Sequence, residues 1–339
     1  MKPQSPLRSR HRLQLAFDAG HLNERGTDVA LWDYAHYAET LLGHRSRILC
    51  PANSDLSAFD KFRRRFSVFL YDDPRDCQAA LRDVDVYYRI VHGADFGEEL
   101  LRPPEGRLVL HAVFEASAPR GDVYAAVSDW VACHRGTEGL EIPVVPHMIS
   151  LPQVAGDLRS ELGIPPEAVV LGRHGGPMTF DLPFVHVEVA AAVQRRPELH
   201  FVFLNTAPFC PPHPRIHHLP TTTDLERKVR FIQSCDGMLH GRSDGESFGL
   251  SVGEFSVLNK PVITWLGGSD RHHIDVLGSK GIYYRDGAEL ATILDKFEAK
   301  PGIYDAFSER FSPSAVMQRF AEVFLAETPA KRIATPCSR

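Results

Sequence analysis

The stretch Asp244-Gly-Glu-Ser-Phe-Gly-Leu-Ser-Val-Gly-Glu254, continued by Phe255 to Trp265, constrains the fold most. A glycine-bearing turn leads into a short helix that starts near Gly249 or Leu250. Pro261 stops the chain before an apolar strand at 261–266. Strand, turn, short helix and strand in that order demand a parallel sheet, because only a crossover connection returns the chain to the same sheet edge. Glu246 falls in the turn and Glu254 about one turn into the helix, so the carboxylates lie about 80° apart around the axis and can face one cleft. The helix start also offers free N–H groups and a positive dipole end to an anion. Carboxylates for a polyol beside amides for an anion suit a nucleotide sugar, while an ordinary βαβ turn with solvated acids fits the same local pattern.

The same grammar runs through the chain. Strands are expected at 13–17, 46–50, 67–71, 84–90, 108–112 and 124–128, with helices at 28–42, 55–65 and 75–81 between them and an extended piece at 142–149. A second set follows. Its strands are expected at 168–172, 200–204, 237–240, 261–266 and 281–284, and its helices at 182–195, 225–234, near 272, 287–297 and 312–326, after a short helix within 152–163. Asp224 is placed to cap the helix at 225–234, and the proline-rich connection to Pro220 has no helical period. Alternating strands and amphipathic helices predict an α/β protein with two Rossmann-like domains, whose parallel sheets face an interdomain cleft. The expected division is 1–151, 152–311, and a C-terminal helix and frayed tail at 312–339 that can cross back to the first domain. Residues 1–12 read as a frayed lead-in.

With 339 residues and a formal charge of −5, the composition is that of a soluble globular protein and does not call for nucleic acid; Arg63-Arg64-Arg65 is a local patch of the kind found on solvated helix faces. The six cysteines lack zinc-site spacing, and with no signal-like apolar start reduced thiols in a cytoplasmic protein are expected. No apolar run is long enough to span a bilayer, which leaves peripheral membrane contact open. Arg173, at the end of a core strand beside Gly175 and Gly176, is placed for a phosphate or a loop salt bridge. Gly26 and Thr27 lie in the loop before the first helix, where backbone groups can approach a ligand; the loop is not a dinucleotide fingerprint. His111 closes an apolar strand at the edge of the expected cleft, and His147 lies near the crossover between domains.

These residues together resemble the GT-B glycosyltransferases, specifically the large retaining group called family 4, or glycosyl transferases group 1. Glu246 and Glu254 match its E-x7-E motif, with Ser247, Phe248, Gly249, Pro261, Val262 and Ile263 in place. The run from Leu162 to Arg173 resembles the entry to the donor domain; His111, Ser128 and Gly43-His44 follow first-domain patterns more loosely. The resemblance implies that Glu246 holds donor-sugar hydroxyls and Glu254 the ribose, while backbone groups of Ser247, Phe248, Gly249 and Leu250 steady the diphosphate. It makes Arg173 a phosphate ligand and brings His111 to the transferred sugar or acceptor. It further implies a nucleoside-diphosphate sugar as donor, no permanently bound cofactor, no required metal, and front-face transfer to a glycan, lipid or small-molecule hydroxyl. Two departures stand out. No lysine follows Arg173 before Lys228, and Arg25-Gly26-Thr27 stands where paired glycines are usual. They keep alternatives open: a weak or inactive nucleotide-sugar-binding protein, or an epimerase or hydrolase acting on nucleotide sugars. Base, sugar, acceptor and oligomeric state are not legible in the sequence.

Overall fold

The computed structural model describes residues 12–97, 100–298 and 300–326. The expected lead-in (apart from Arg12) and most of the expected tail lie outside the described residues. The first sheet contains β1 (Gln14–Asp18), β2 (Arg45–Pro51), β3 (Ser67–Tyr71), β4 (Val86–Val91), β5 (Arg107–Ala112) and β6 (Val123–Ala126), in the order β3-β2-β1-β4-β5-β6. The second contains β7 (Val169–His174), β8 (Leu199–Leu204), β9 (Ile216–Leu219), β10 (Gly237–Leu239), β12 (Val262–Trp265) and β14 (Gly281–Tyr284), in the order β14-β12-β10-β7-β8-β9. Counted from its own first strand, each sheet has the same order. All pairings are parallel, for example Leu15 opposite Ser46 and Leu171 opposite Phe201. A two-stranded parallel ladder joins β11 (Gly245–Glu246) to β13 (Asp270–Arg271).

The helices are α1 (Gly26–Thr40), α2 (Phe59–Arg63), α3 (Asp129–His134), α4 (Pro183–Arg195), α5 (Leu225–Ser234), α6 (Leu250–Val257), α7 (His272–Leu277), α8 (Gly287–Lys296), α9 (Ser308–Phe311) and α10 (Pro313–Phe320). Central strands are mostly apolar because helices cover both faces: all six residues of β8 are buried, His200 among them. Asp224 caps α5 as expected, accepting from the N–H groups of Glu226 and Arg227.

Local chemistry explains where the pattern differs from expectation. The helix expected at 55–65 shrinks to α2, with only Phe62 buried to hold it. At 75–81 a 3₁₀ turn, Pro74–Gln78, is set by the Asp73 capping box and Pro74. The short helix expected within 152–163 is a set of turns; Gly156 and Gly163 have positive φ. The 142–149 segment pairs only through a single bridge, Ala126 to Val144. The proline-rich connection hides β9, an edge strand of four residues laddered to β8, and α3 escapes the pattern because only Val131 in it is buried. The helix expected at 312–326 is broken into α10 and a π-helical turn, Ala321–Leu325. This end of the chain lies on the first sheet's side: Phe320 stacks on Tyr34 at 5.3 Å, and Arg107 donates to the carbonyl of Leu325 at 3.1 Å. Cys50, Cys77, Cys210 and Cys235 are free thiols, but Cys133 is disulfide-bonded, so the expectation of reduced thiols does not extend to it.

Candidate active site

In open parallel sheets a ligand meets the C-terminal strand ends where the strand order reverses. In the second sheet that point lies between β7 and β10, and the charged residues collect there. Arg173 is the penultimate residue of β7. Its guanidinium is buried and donates to Gly176 O at 3.3 Å, Thr206 Oγ1 at 2.6 Å and Thr179 Oγ1, and it lies over the Phe180 ring. No described carboxylate pairs with it. Burial lowers its pKa to about 10, against the raising field of Glu246, so it stays a cation held by neutral oxygens. Such a charge is poised for an incoming anion.

Glu246, in β11, is gripped from the interior. His240, just beyond β10, contacts Oε1 through Nε2 at 3.1 Å, and Arg242 Nη1 contacts Oε2 at 3.1 Å. Burial pushes the carboxyl pKa up, but the His240 hydrogen bond and the Arg242 charge outweigh it and hold the pKa at about 2. An ionised carboxylate only accepts, so His240 Nε2 carries the proton. Its Nδ1 shares a hydrogen bond with Thr264 Oγ1 at 2.9 Å, and the same hydroxyl shares one with His273 Nε2 at 3.1 Å. This chain fixes the orientation of the His240 ring and so aims the carboxylate.

Glu254, on α6, is held in the same ionised state. Lys228 Nζ from α5 lies 2.5 Å from Oε1; His174 Nε2 lies 2.8 Å from Oε2 in a close polar contact that is not an aligned hydrogen bond. Burial pushes this pKa up as well, and Lys228 and His174 bring it down to about 2. Both glutamates therefore add stability that is full above about pH 4.5 and lost as pH falls through about 2.

Between the carboxylates, Gly249 precedes α6 at φ 93°, a left-handed conformation that suits glycine, and no side chain caps the helix. The start of α1 is also uncapped, at Arg25. The two starts meet: a Cβ on Gly26 would come 3.2 Å from Leu250 Cδ1. Two positive helix ends thus converge on one place. The loop before α1 is fixed by Asp28, whose Oδ2 contacts His21 Nδ1 at 2.6 Å and accepts from Asn23 N at 2.9 Å. Further contacts register the two halves. Ser128 Oγ donates to Ser247 O at 2.6 Å, and Arg135 pairs with Asp270 at 3.0 Å.

No protein-family profile and no curated protein matches the chain in sequence. Solved structures do match in shape. Anabaena HepE in complex with UDP-glucose superposes with a TM-score of 0.72 at 15% identity, over 92% of this chain and 99% of that one. A Rickettsia africae glycosyltransferase gives 0.65 at 12%, covering 94% and 100%. AviGT4, a glycosyltransferase of avilamycin A biosynthesis, gives 0.60 at 16%, covering 92% and 97%. The fold is GT-B.

Within the GT-B frame, Gly26, Leu250 and Gly249 are brought together with Glu246 and Glu254; Thr27 follows Gly26 in the first turn of α1. Phe248 is turned into the core, 3% exposed among His147, His272 and Phe311, so only its backbone remains for a ligand. The structure does not bring His111 to the cleft surface. It is fully buried, bonded through Nδ1 to Tyr88 Oη at 2.6 Å and packed on Tyr34, His147 and Phe324; burial lowers its pKa to about 3. Reading by local motif missed His240, Thr264, His273 and Asp33. A histidine directly after the apolar run 237–239 was the available signal for the first; the others are joined only by folding. Among the described residues no cluster of metal-ligating side chains occurs, and no helix is long and apolar enough to cross a membrane.

Asp33 lies two turns after Gly26, on the same face of α1, and is 7% exposed with no hydrogen-bond partner among the described residues. Burial raises its pKa to about 7, against the lowering fields of Lys61 and Lys228, with Glu254 raising it further. A carboxyl with a raised folded-state pKa keeps its proton longer when folded, so its stabilising contribution is full below about pH 3.8 and lost as pH rises through about 7. Asp33→Asn should therefore raise Tm at pH 8 by roughly 2–4 °C per kcal/mol regained, and change it little at pH 4. Thermal denaturation at the two pH values checks this; an equal shift at both would contradict the buried-carboxyl account.

Proposed function

We propose that the chain is a glycosyltransferase of the retaining family-4 kind, moving a hexose-like sugar from a nucleoside diphosphate to a hydroxyl acceptor. One observation carries this reading: two glutamates, Glu254 buried and Glu246 16% exposed, each held by basic side chains, flank two uncapped helix starts beside an arginine with no described carboxylate partner. A nucleotide sugar has the matching parts. Glu246 takes donor-sugar hydroxyls, Glu254 takes ribose hydroxyls, and Arg173 with the N–H groups near Gly26, Thr27 and Leu250 meets the diphosphate. Charge growing on the departing diphosphate is met by cation and dipoles already in place. Front-face transfer asks no covalent nucleophile of the protein. HepE's complexes, one with UDP-glucose and one with UDP and glucose, make UDP-sugars the first donors to try. Action in the cytoplasm and family-4 membership belong to the same proposal.

Calorimetric titration with UDP, GDP and ADP, followed by NMR of the product's anomeric configuration, tests it. Inversion would refute retention, and no nucleotide binding would refute the donor site. Glu254→Gln should weaken binding of the best nucleotide by about tenfold, since an amide oxygen accepts less strongly than a carboxylate; unchanged affinity would refute the ribose role. A second reading, donor binding with little turnover, is favoured by the engagement of both Glu254 oxygens by Lys228 and His174 and by the missing lysine after Arg173. It predicts nucleotide binding without transfer to any acceptor.

A further inference from the structure

At the C-terminal ends of β4 and β5, outside the charged site, three rings stand together at the surface. His92 follows β4, with its ring centroid 5.0 Å from Phe96 and 5.2 Å from Phe114. Phe96 is 64% exposed and Phe114 38% exposed.

The rings are held on a stiff mount. Phe114 N and Glu115 N both donate to His92 O, at 3.1 and 2.9 Å, and Ala118 N donates to Gly93 O at 3.1 Å. Gly93, at φ 106°, is required here: a Cβ would fall 1.5 Å from Glu115 O. The mount continues into the charged site. Ala116 N donates to Arg135 O at 2.8 Å, Arg135 pairs with Asp270, and Asp270 and Arg271 lie in register with Gly245 and Glu246. The segment that carries Phe114 is therefore linked through Arg135 and Asp270 to the ladder that holds Glu246.

We propose that His92, Phe96 and Phe114 form a stacking platform for a saccharide ring of the acceptor. This rests on the glycosyltransferase reading and names its acceptor class, a glycan. A pyranose presents a C–H face whose weakly positive hydrogens suit the negative face of an aromatic ring, and a rim of hydroxyls. The patch has both counterparts. Around the rings stand the Asp95–Arg120 pair at 3.1 Å and Glu115, which accepts from Ser117 Oγ at 3.1 Å. An acyl chain has no use for that polar rim and would need a broader apolar surface.

Saturation-transfer NMR on the full chain, with UDP present, tests this using methyl glucoside, maltose, cellobiose, di-N-acetylchitobiose and octyl glucoside. At least one sugar should receive saturation on its ring C–H protons. Its affinity should fall roughly three- to tenfold in Phe114→Ala and in Phe96→Ala, at unchanged UDP affinity. Phe114→Trp should retain binding and Phe114→Leu should not, which separates ring stacking from simple apolar contact. No sugar signal, a signal untouched by both alanine variants, or saturation confined to the octyl chain would overturn the platform. Sugar binding that persists when UDP fails to bind would support the platform and count against the donor reading.

Discussion

Glu246→Ala is expected to lower kcat/KM for transfer from the best nucleotide sugar by on the order of 10²–10³, with nucleotide affinity changed by less than about threefold. His240 and Arg242 use the interior-facing sides of the two carboxylate oxygens, leaving the remaining lone pairs for sugar hydroxyls. Bonds from hydroxyls to an ionised acceptor contribute about 1.5–3 kcal/mol each, and losing one or two gives the stated range. Alanine also removes a partner from the buried His240 and from the partly exposed Arg242, so some thermal stability should go as well. Glu246→Gln separates the effects: it keeps volume and one acceptor oxygen, but its amide N–H group either faces Arg242, which cannot accept, or obliges His240 to carry its proton on Nδ1. Its rate loss should approach that of alanine while the nucleotide still binds. Steady-state kinetics beside UDP titration reads this out, and an unchanged kcat/KM in the alanine variant would end the sugar-holding role.

Arg173→Ala should weaken UDP binding by on the order of 30- to 150-fold, equivalent to about 2–3 kcal/mol for a buried, charge-assisted contact to phosphate. The magnitude follows from the setting: Thr179, Thr206 and Gly176 supply only neutral oxygens, so the positive charge is not spent inside the protein. Arg173→Lys should recover little, because a point-like ammonium cannot reach Thr206 and Thr179 together while facing a phosphate. Affinity in the alanine variant within twofold of the native value would remove Arg173 from the phosphate site. A lowered Tm alone would not, since the threonine hydroxyls lose their buried partner in either case.

The repeating strand and helix pattern announced two parallel sheets because strands buried on both faces are largely apolar along their length, as 199–204 are but for His200. Glu246 and Glu254 were legible because a turn and one helix fix their relation locally. Long-range contacts were not. His111 stood at a strand end and read as a cleft residue, yet Tyr34, His147 and Phe324 enclose it, and those residues come from a distant helix, the crossover and the C-terminal turn. Phe248 matched a motif, but its ring belongs to the core.

The sequence by itself determined the α/β architecture, the ends of most strands and the local pairing of acid and helix start, since period, glycine, proline and capping act over a few residues. Tertiary structure alone decided the charge state and aim of those acids. Lys228 reaches Glu254 across 26 positions, Thr264 joins His240 to His273, and Gly26 meets Leu250 from the other half of the chain. Burial and Coulomb fields depend on distance in space, and spacing along the chain carries no record of it until the two sheets have packed.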